Sequence, residues 1–353
     1  MKILFIDGTA GFTPTRLQER PTGGILTSLT LIPRYLAAQG HDVTVMSCFE
    51  HMAVISGVYY LPITKNVSDL IAQDVVVFNR NSISRPLAKH FKANGARIIW
   101  WLHDICQLSY LQDDGFKLVD DIVALSDYCR YSYSEFYGIA HDKFQVIPNA
   151  VDPTVFYPGT EQRDRNLYIV ASAAIKGLMP LEFTLHNMKR HNPDFELRVY
   201  SSQKLHDLEN TASQNQALWA LGKAGAAVRD PIPQHELAAV MRKAWCLLMP
   251  GHFPETNSNL VLQARACGLP VISAPIGSAR EFIEDGYNGL LTASYPHDLH
   301  LWLKHYAGLC IDMQDPLLQS RLSRNAPEGI LSWDVVGSQW NNLLSRQAVA
   351  ANG

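Results

Sequence analysis

The chain has 353 residues, of which 47% are hydrophobic and 18% charged, with a formal net charge of -3. That length holds two domains of ordinary size, and that apolar content belongs to a globular protein rather than a disordered one. The slightly acidic balance argues against a nucleic-acid binder, which normally carries a basic surplus.

The first predicted element is a strand over residues 2–7, followed by a polar loop rich in Gly, Thr and Pro over residues 8–22. Gly23 and Gly24 open a predicted helix that runs to about Gln39 and ends at Gly40, before a second strand over 42–47. Further strands are predicted at 74–78, 96–101, 121–125 and 144–148, with helical stretches between several of them. A second series falls at 166–171, 196–201, 226–229, 245–249 and 270–274. Such alternation indicates two Rossmann-like α/β domains, each a parallel sheet covered by helices. The segment VIPNAVDPTVFYPG, with Pro148, Pro153, Pro158 and Gly159, reads as a linker. The expected division is residues 1–155 for the first domain and 156–329 for the second. Leu331, Val335, Trp340, Leu343 and Leu344 have the spacing of a helix packed by one face.

Candidate site residues cluster at predicted strand ends, where ligands bind in open α/β sheets. His103 follows the strand RIIWWL and precedes Asp104, so its imidazole stands ready to hydrogen-bond a hydroxyl. Lys176 and Gly177 follow the first strand of the second series, and a lysine there neutralises phosphate. After the strand at 245–249, Pro250 and Gly251 open a loop containing Glu255, Thr256, Asn257, Ser258 and Asn259. The last three are good helix N-cap residues, and Leu260, Val261, Leu262, Ala264 and Ala266 supply the helix until Gly268 and Pro270 stop it. Unpaired N–H groups at such a helix start attract anions such as a diphosphate. Gln263 lies about one turn in, on a side chain long enough to reach a ligand near that start.

Two other groupings are candidates for the acceptor side. Arg80, Arg85, Lys89, Lys92 and Arg97 gather in NRNSISRPLAKHFKANGAR, a cluster that could rest on anionic lipid head groups. Phe12, Trp100, Trp101, Tyr110 and Phe116 could shape a groove for sugar rings, with Trp100 the first to be expected in the core instead. The six cysteines are scattered without close pairs or metal-ligand spacing, as reduced thiols would be. No apolar run approaches the roughly 20 residues needed to cross a bilayer, and no signal peptide opens the chain, so a cytoplasmic location is expected.

The block MPGHFPETNSNLVLQARACGLPVISAPIGSAREFIEDGYNGLL resembles the donor-site signature of family-four glycosyltransferases, retaining enzymes of the GT-B fold. In that family two glutamates bracket seven residues. Glu255 matches the first, beside the donor sugar, and Gln263 stands where the second binds ribose. The resemblance implies that Lys176 and the helix start at Thr256, Asn257, Ser258 and Asn259 hold the diphosphate. It places Gly23 and Gly24 in the glycine-rich loop of the first domain, and His103 near the donor sugar and its phosphate. An arginine is usual five positions before the lysine, but Ala171 stands there, with Ser172 offering a neutral hydrogen bond.

By this resemblance the two domains face each other across a donor cleft, and a C-terminal helix at about 330–353 crosses back to the first. The implied activity moves a hexosyl unit from a nucleotide sugar, a UDP-sugar being the expected donor, to a glycan or lipid-linked glycan hydroxyl. It implies no metal, no cofactor and no protein nucleophile, with bacterial surface polysaccharide synthesis as the setting and peripheral membrane association as an option. The departures at Gln263 and Ala171 leave an alternative: a weak or inactive GT-B subunit that binds a glycan or a partner protein.

Overall fold

Lys2–Asp7 forms strand β1, and its alternating side chains feed two cores: Ile3 and Phe5 enter one, Leu4 and Ile6 the other. The computed structural model describes residues 1–8, 15–63, 70, 72–106, 111, 113–172, 176–206, 208–293 and 298–346. Seven more strands complete the first sheet among these residues: β2 Asp42–Ser47, β3 Ala53–Ile55, β4 Val58–Pro62, β5 Val75–Asn79, β6 Arg97–Trp101, β7 Asp121–Ala124 and β8 Phe144–Val146. Their order is β3-β4-β2-β1-β5-β6-β7-β8. Every neighbouring pair is parallel except β3 with β4. Runs such as VVVFN in β5 are buried along their whole length, as a strand covered on both faces must be.

The hairpin of β3 and β4 is absent from the sequence reading. Its turn is Ser56 and Gly57, both with positive φ (53° and 78°), the geometry that matches the twist of two antiparallel strands. Neighbouring segments follow local rules that the sequence states openly. Ser126 caps the helix Asp127–Tyr137 by accepting from the Cys129 N–H, and Gly138 ends it in the left-handed region.

The second sheet contains β9 Leu167–Val170, β10 Glu196–Tyr200, β11 Ala227–Arg229, β12 Cys246–Met249, β13 Val271–Ser273 and β14 Leu290–Leu291. All its pairs are parallel, in the order β11-β10-β9-β12-β13-β14. Helices Met179–His191, Ala212–Lys223, Gln234–Lys243 and Asn259–Ala266 make the crossovers. The chain separates into two units: Met1–Arg16, Gly24–Ala150 and Leu331–Gly353 in one, Leu17–Gly23 and Val151–Ile330 in the other. Ile147 and Ala150 are buried in the first core, whereas Val151 and Phe156 are buried in the second.

Helix Trp333–Ser345 belongs to the first unit, because its apolar face completes that core. Trp340 packs edge-on against Trp101, with ring centroids 4.8 Å apart, and Arg97 Nη1 donates to the Leu343 carbonyl at 2.9 Å. A side chain at Gly337 would run into the Tyr35 ring, so glycine permits this approach. The aromatic groove is corrected here. Trp100 and Trp101 are fully buried core residues, and Phe116 packs against Trp100 with centroids 6.1 Å apart. Phe12 and Tyr110 lie outside the described residues.

Candidate functional site

In the second sheet the strand order reverses beside β9, which lies between β10 and β12. The crevice outside the carboxyl ends of such strands is where open α/β sheets bind ligands. There β9 delivers Ser172 and Lys176, and β12 delivers the loop from Pro250 to Ser258. Together they line a cleft with Phe253, Glu255 and Ser278 among its walls.

Lys176 Nζ and Glu255 Oε1 form an ion pair inside this cleft, and the ammonium also lies 5.9 Å from the centroid of the Phe253 ring. Burial pushes the Glu255 carboxyl up. The Lys176 charge, a hydrogen bond from Lys176 and one from Ser258 outweigh it and hold the pKa below the ordinary carboxylate value. Three glycines let the loops approach this closely. A Cβ on Gly251 would strike the Lys176 carbonyl oxygen, and one on Gly177 (φ 97°) would lie 2.5 Å from His252 Nδ1. One on Gly277 (φ 58°) would lie 2.6 Å from the Glu255 carbonyl oxygen. That oxygen accepts from both the Ser278 N–H and the Ser278 hydroxyl, each at 2.9 Å. Gly277 and Ser278 therefore fix the backbone of Glu255. The sequence reading passed over both, although they lie within its own motif.

The expected helix is Asn259–Ala266, with Ser258 at the N-cap position in extended backbone. Its hydroxyl makes no capping bond, being engaged with Glu255 instead. Asn259 is the first helical residue, and both polar atoms of its carboxamide are buried with no hydrogen-bond partner among the described residues. An unmet amide of this kind is costly, and a polar ligand would satisfy it. Thr256, Asn257 and Gln263 are buried beside the cleft but are not part of its lining, in contrast to Ser172, Lys176, Glu255 and Ser258. Arg265, on the same helix, is structural: its guanidinium donates to the carbonyls of Ala326, Phe282 and Glu328 at 2.9, 2.6 and 2.5 Å.

In the first sheet the order reverses at β1, between β2 and β5, and another polar group collects there. Asn79 Nδ2 donates to Asp7 Oδ2 at 2.7 Å, with both side chains fully buried. Arg80 follows at the end of β5 with φ 54° and pairs with Asp104 at 2.7 Å. His103, at the end of β6, is 7% exposed, and its ring centroid lies 4.5 Å from that of Trp101. Burial, and then the Arg80 charge, push its pKa down from 6.5 to about 3, so it is a neutral imidazole at physiological pH. Gly24 begins the helix Gly24–Ala38 and Gly23 directly precedes it; neither takes the left-handed conformation.

The basic cluster takes a different form from the one its spacing suggested. Besides Arg80, Arg85 pairs with Asp114 at 2.6 Å, Lys92 with Asp120 at 2.8 Å and Arg97 with Asp121 at 2.6 Å. Only Lys89 of the five has no ion pair among the described residues. Four of the five basic side chains are thus balanced by aspartates. Among the described residues no helix is long and apolar enough to cross a membrane.

Residues 166–301 match the family model described as Glycosyl transferases group 1. The chain is 29% identical over 177 residues to a D-inositol 3-phosphate glycosyltransferase of Frankia alni, covering 45% of this chain and 43% of that protein. It is 26% identical over 230 residues to a probable sucrose-phosphate synthase of Thermosipho melanesiensis, covering 62% and 52%. The chain thus spans about half the length of the curated relatives it matches. Among solved structures, the sucrose-phosphate synthase of Thermosynechococcus elongatus shares the fold with a TM-score of 0.76 at 15% identity, over 99% of both chains. Anabaena Alr3699/HepE in complex with UDP does so with a TM-score of 0.70 at 16% identity, over 98% of this chain and 100% of that one. The group 1 match falls on the unit that holds Lys176 and Glu255, and the two Rossmann-like sheets share the GT-B fold of these glycosyltransferase structures.

Proposed function

We propose that this chain moves a hexosyl unit from a UDP-sugar to a hydroxyl of a glycan or lipid-linked glycan, with retention of configuration. The observation that carries the reading is the pairing of Lys176 with Glu255 in the cleft at the switch point of the second sheet. Breaking the bond between sugar and diphosphate leaves negative charge on the phosphate, where Lys176 and the start of helix Asn259–Ala266 supply compensating charge and dipole. Glu255 then meets the hydroxyls of the donor sugar and orients it. It is the acidic side chain of the cleft lining and is tied to a lysine, which fits an orienting role better than a nucleophilic one. The departing phosphate takes the acceptor proton. Neutral His103 contributes a hydrogen bond to the sugar, and Gly23 and Gly24 let backbone approach the donor. The roles of Ser172, Thr256, Asn257, Ser258, Asn259 and Gln263 in holding the donor, without metal or cofactor, belong to the same proposal.

Relatives in fold support the nucleotide. Anabaena Alr3699/HepE is described in complex with UDP and with UDP-glucose, and a pneumococcal O-GlcNAc transferase with UDP and GlcNAc. A thermal-shift series with UDP, GDP, ADP and TDP tests the base, since a ligand that binds only the folded state raises its stability. UDP release from UDP-sugars, with the anomeric configuration of the product read by NMR, tests transfer and retention. A second reading, a weak or inactive subunit, is favoured by Gln263 lying outside the cleft lining and by Ala171 bringing no cation. Nucleotide binding without any UDP release would select it.

A further inference from the structure

The end of β5 contains the feature that the transfer reading leaves unused. Arg80 holds φ at 54°, a conformation that strains any residue bearing a side chain and that glycine adopts freely. Strain of this kind persists only where surrounding contacts over-determine it, and it collects at functional sites.

Three tethers hold Arg80 in place. Its guanidinium meets Asp104 with two hydrogen bonds, Nε to Oδ2 at 2.7 Å and Nη2 to Oδ1 at 3.3 Å. Its carbonyl accepts from the indole N–H of fully buried Trp100 at 2.6 Å. Asp104 is itself held from the helix Asp127–Tyr137, where the Tyr133 hydroxyl donates to its carbonyl at 3.1 Å. His103 lies between Asp104 and the Trp101 ring, so the turn that carries the imidazole is gripped on both sides.

We infer that Arg80 is a positioning residue for the transfer reaction, a strained side chain whose two-pronged grip on Asp104 fixes the turn that presents His103. The inference rests on the proposed role of His103. An ordinary surface ion pair would explain the contact with Asp104 but not the left-handed backbone, which costs stability unless the side chain is wanted there. The guanidinium also disfavours a proton on His103, adding to the larger effect of burial. A planar fork suits the task better than a lysine ammonium, because two parallel bonds define an orientation and one does not.

The test uses the full chain and the variants Arg80→Gly, Arg80→Lys and His103→Gln. Glycine accepts the backbone without strain, so Arg80→Gly should fold, with Tm within about 5 °C of the unaltered protein. Expected is a fall in kcat of about tenfold to a hundredfold with the donor KM nearly unchanged, a smaller fall in Arg80→Lys, and displaced His103 imidazole resonances in Arg80→Gly. Unmoved His103 resonances overturn the inference whatever the activity. So does unaltered kcat in Arg80→Gly, or full transfer in His103→Gln alongside a loss in Arg80→Gly. Failure of the unaltered protein to turn over any nucleotide sugar would instead sink the transfer reading, and the resonances would still decide whether Arg80 sets the ring.

Discussion

Lys176 and Glu255, 79 residues apart, neutralise each other in the cleft of the second unit. The cation expected to receive a diphosphate is thus already paired, and an incoming anion must compete with a carboxylate for it. Removing that carboxylate has two opposite consequences. Glu255→Gln should abolish transfer, because the donor sugar loses its orienting group, and should bind UDP more tightly, because Lys176 is released. In a Lys176→Met background the same change should gain less, with a coupling of about 0.5–3 kcal/mol between the two sites. Calorimetric titration of UDP into the four proteins measures it. Equal gains in both backgrounds would mean that the pair does not govern nucleotide binding.

Gln263 lies one turn inside helix Asn259–Ala266 and is 9% exposed. If its amide reaches the ribose, Gln263→Ala should weaken UDP binding by about 0.5–1.5 kcal/mol, the net worth of one neutral hydrogen bond. Gln263→Glu should strengthen it through charge-assisted bonds to the ribose hydroxyls. Titrations in which neither variant departs from the unaltered chain would remove Gln263 from the donor site.

His103 carries a pH dependence whose sign follows from its buried ring. The folded pKa of about 3 lies below the ordinary 6.5, so between those values the unfolded chain binds a proton that the native one does not. Stability therefore falls as pH drops through that window, by about 1.4 kcal/mol per pH unit. His103→Gln removes the contribution. Urea unfolding at pH 6.5 and 4.5 should show the variant losing about 2–3 kcal/mol less than the unaltered protein over this interval. Parallel losses would mean that the ring is reached by protons in the native state.

Arg265 joins helix Asn259–Ala266 to the carbonyls of Ala326, Phe282 and Glu328. Arg265→Met keeps much of the bulk and removes every one of these bonds, leaving the buried Ala326 carbonyl unmet at about 1–3 kcal/mol while water can reach the carbonyls of Phe282 and exposed Glu328. The expected outcome is a fall in the urea midpoint equivalent to about 1–3 kcal/mol, with UDP affinity per folded molecule nearly unchanged. A midpoint that does not move would show that water replaces the guanidinium without cost.

Local pattern determined much of this fold. β1 and β2 occupy the residues their apolar runs predict, and the second series of strands falls within a residue or two of its predicted bounds. Continuous apolar runs between Gly and Pro punctuation describe a buried parallel strand wherever they occur, so no distant contact is needed to recognise one. Glu255 and Lys176 were likewise visible as polar residues after such runs. What their spacing could not show is that they meet, since the pairing depends on β9 lying beside β12 and on glycines at 177, 251 and 277 that let two loops close on each other. The hairpin of β3 and β4 was missed because three residues facing five are too few to make a periodic signal. Arg80 read as one of five clustered basic residues because the aspartates that pair with four of them lie 24 to 29 residues away in sequence. Charge along a chain is local information, whereas its neutralisation, and the strained turn that aims Arg80 at Asp104, are decided by which strands the sheet places side by side.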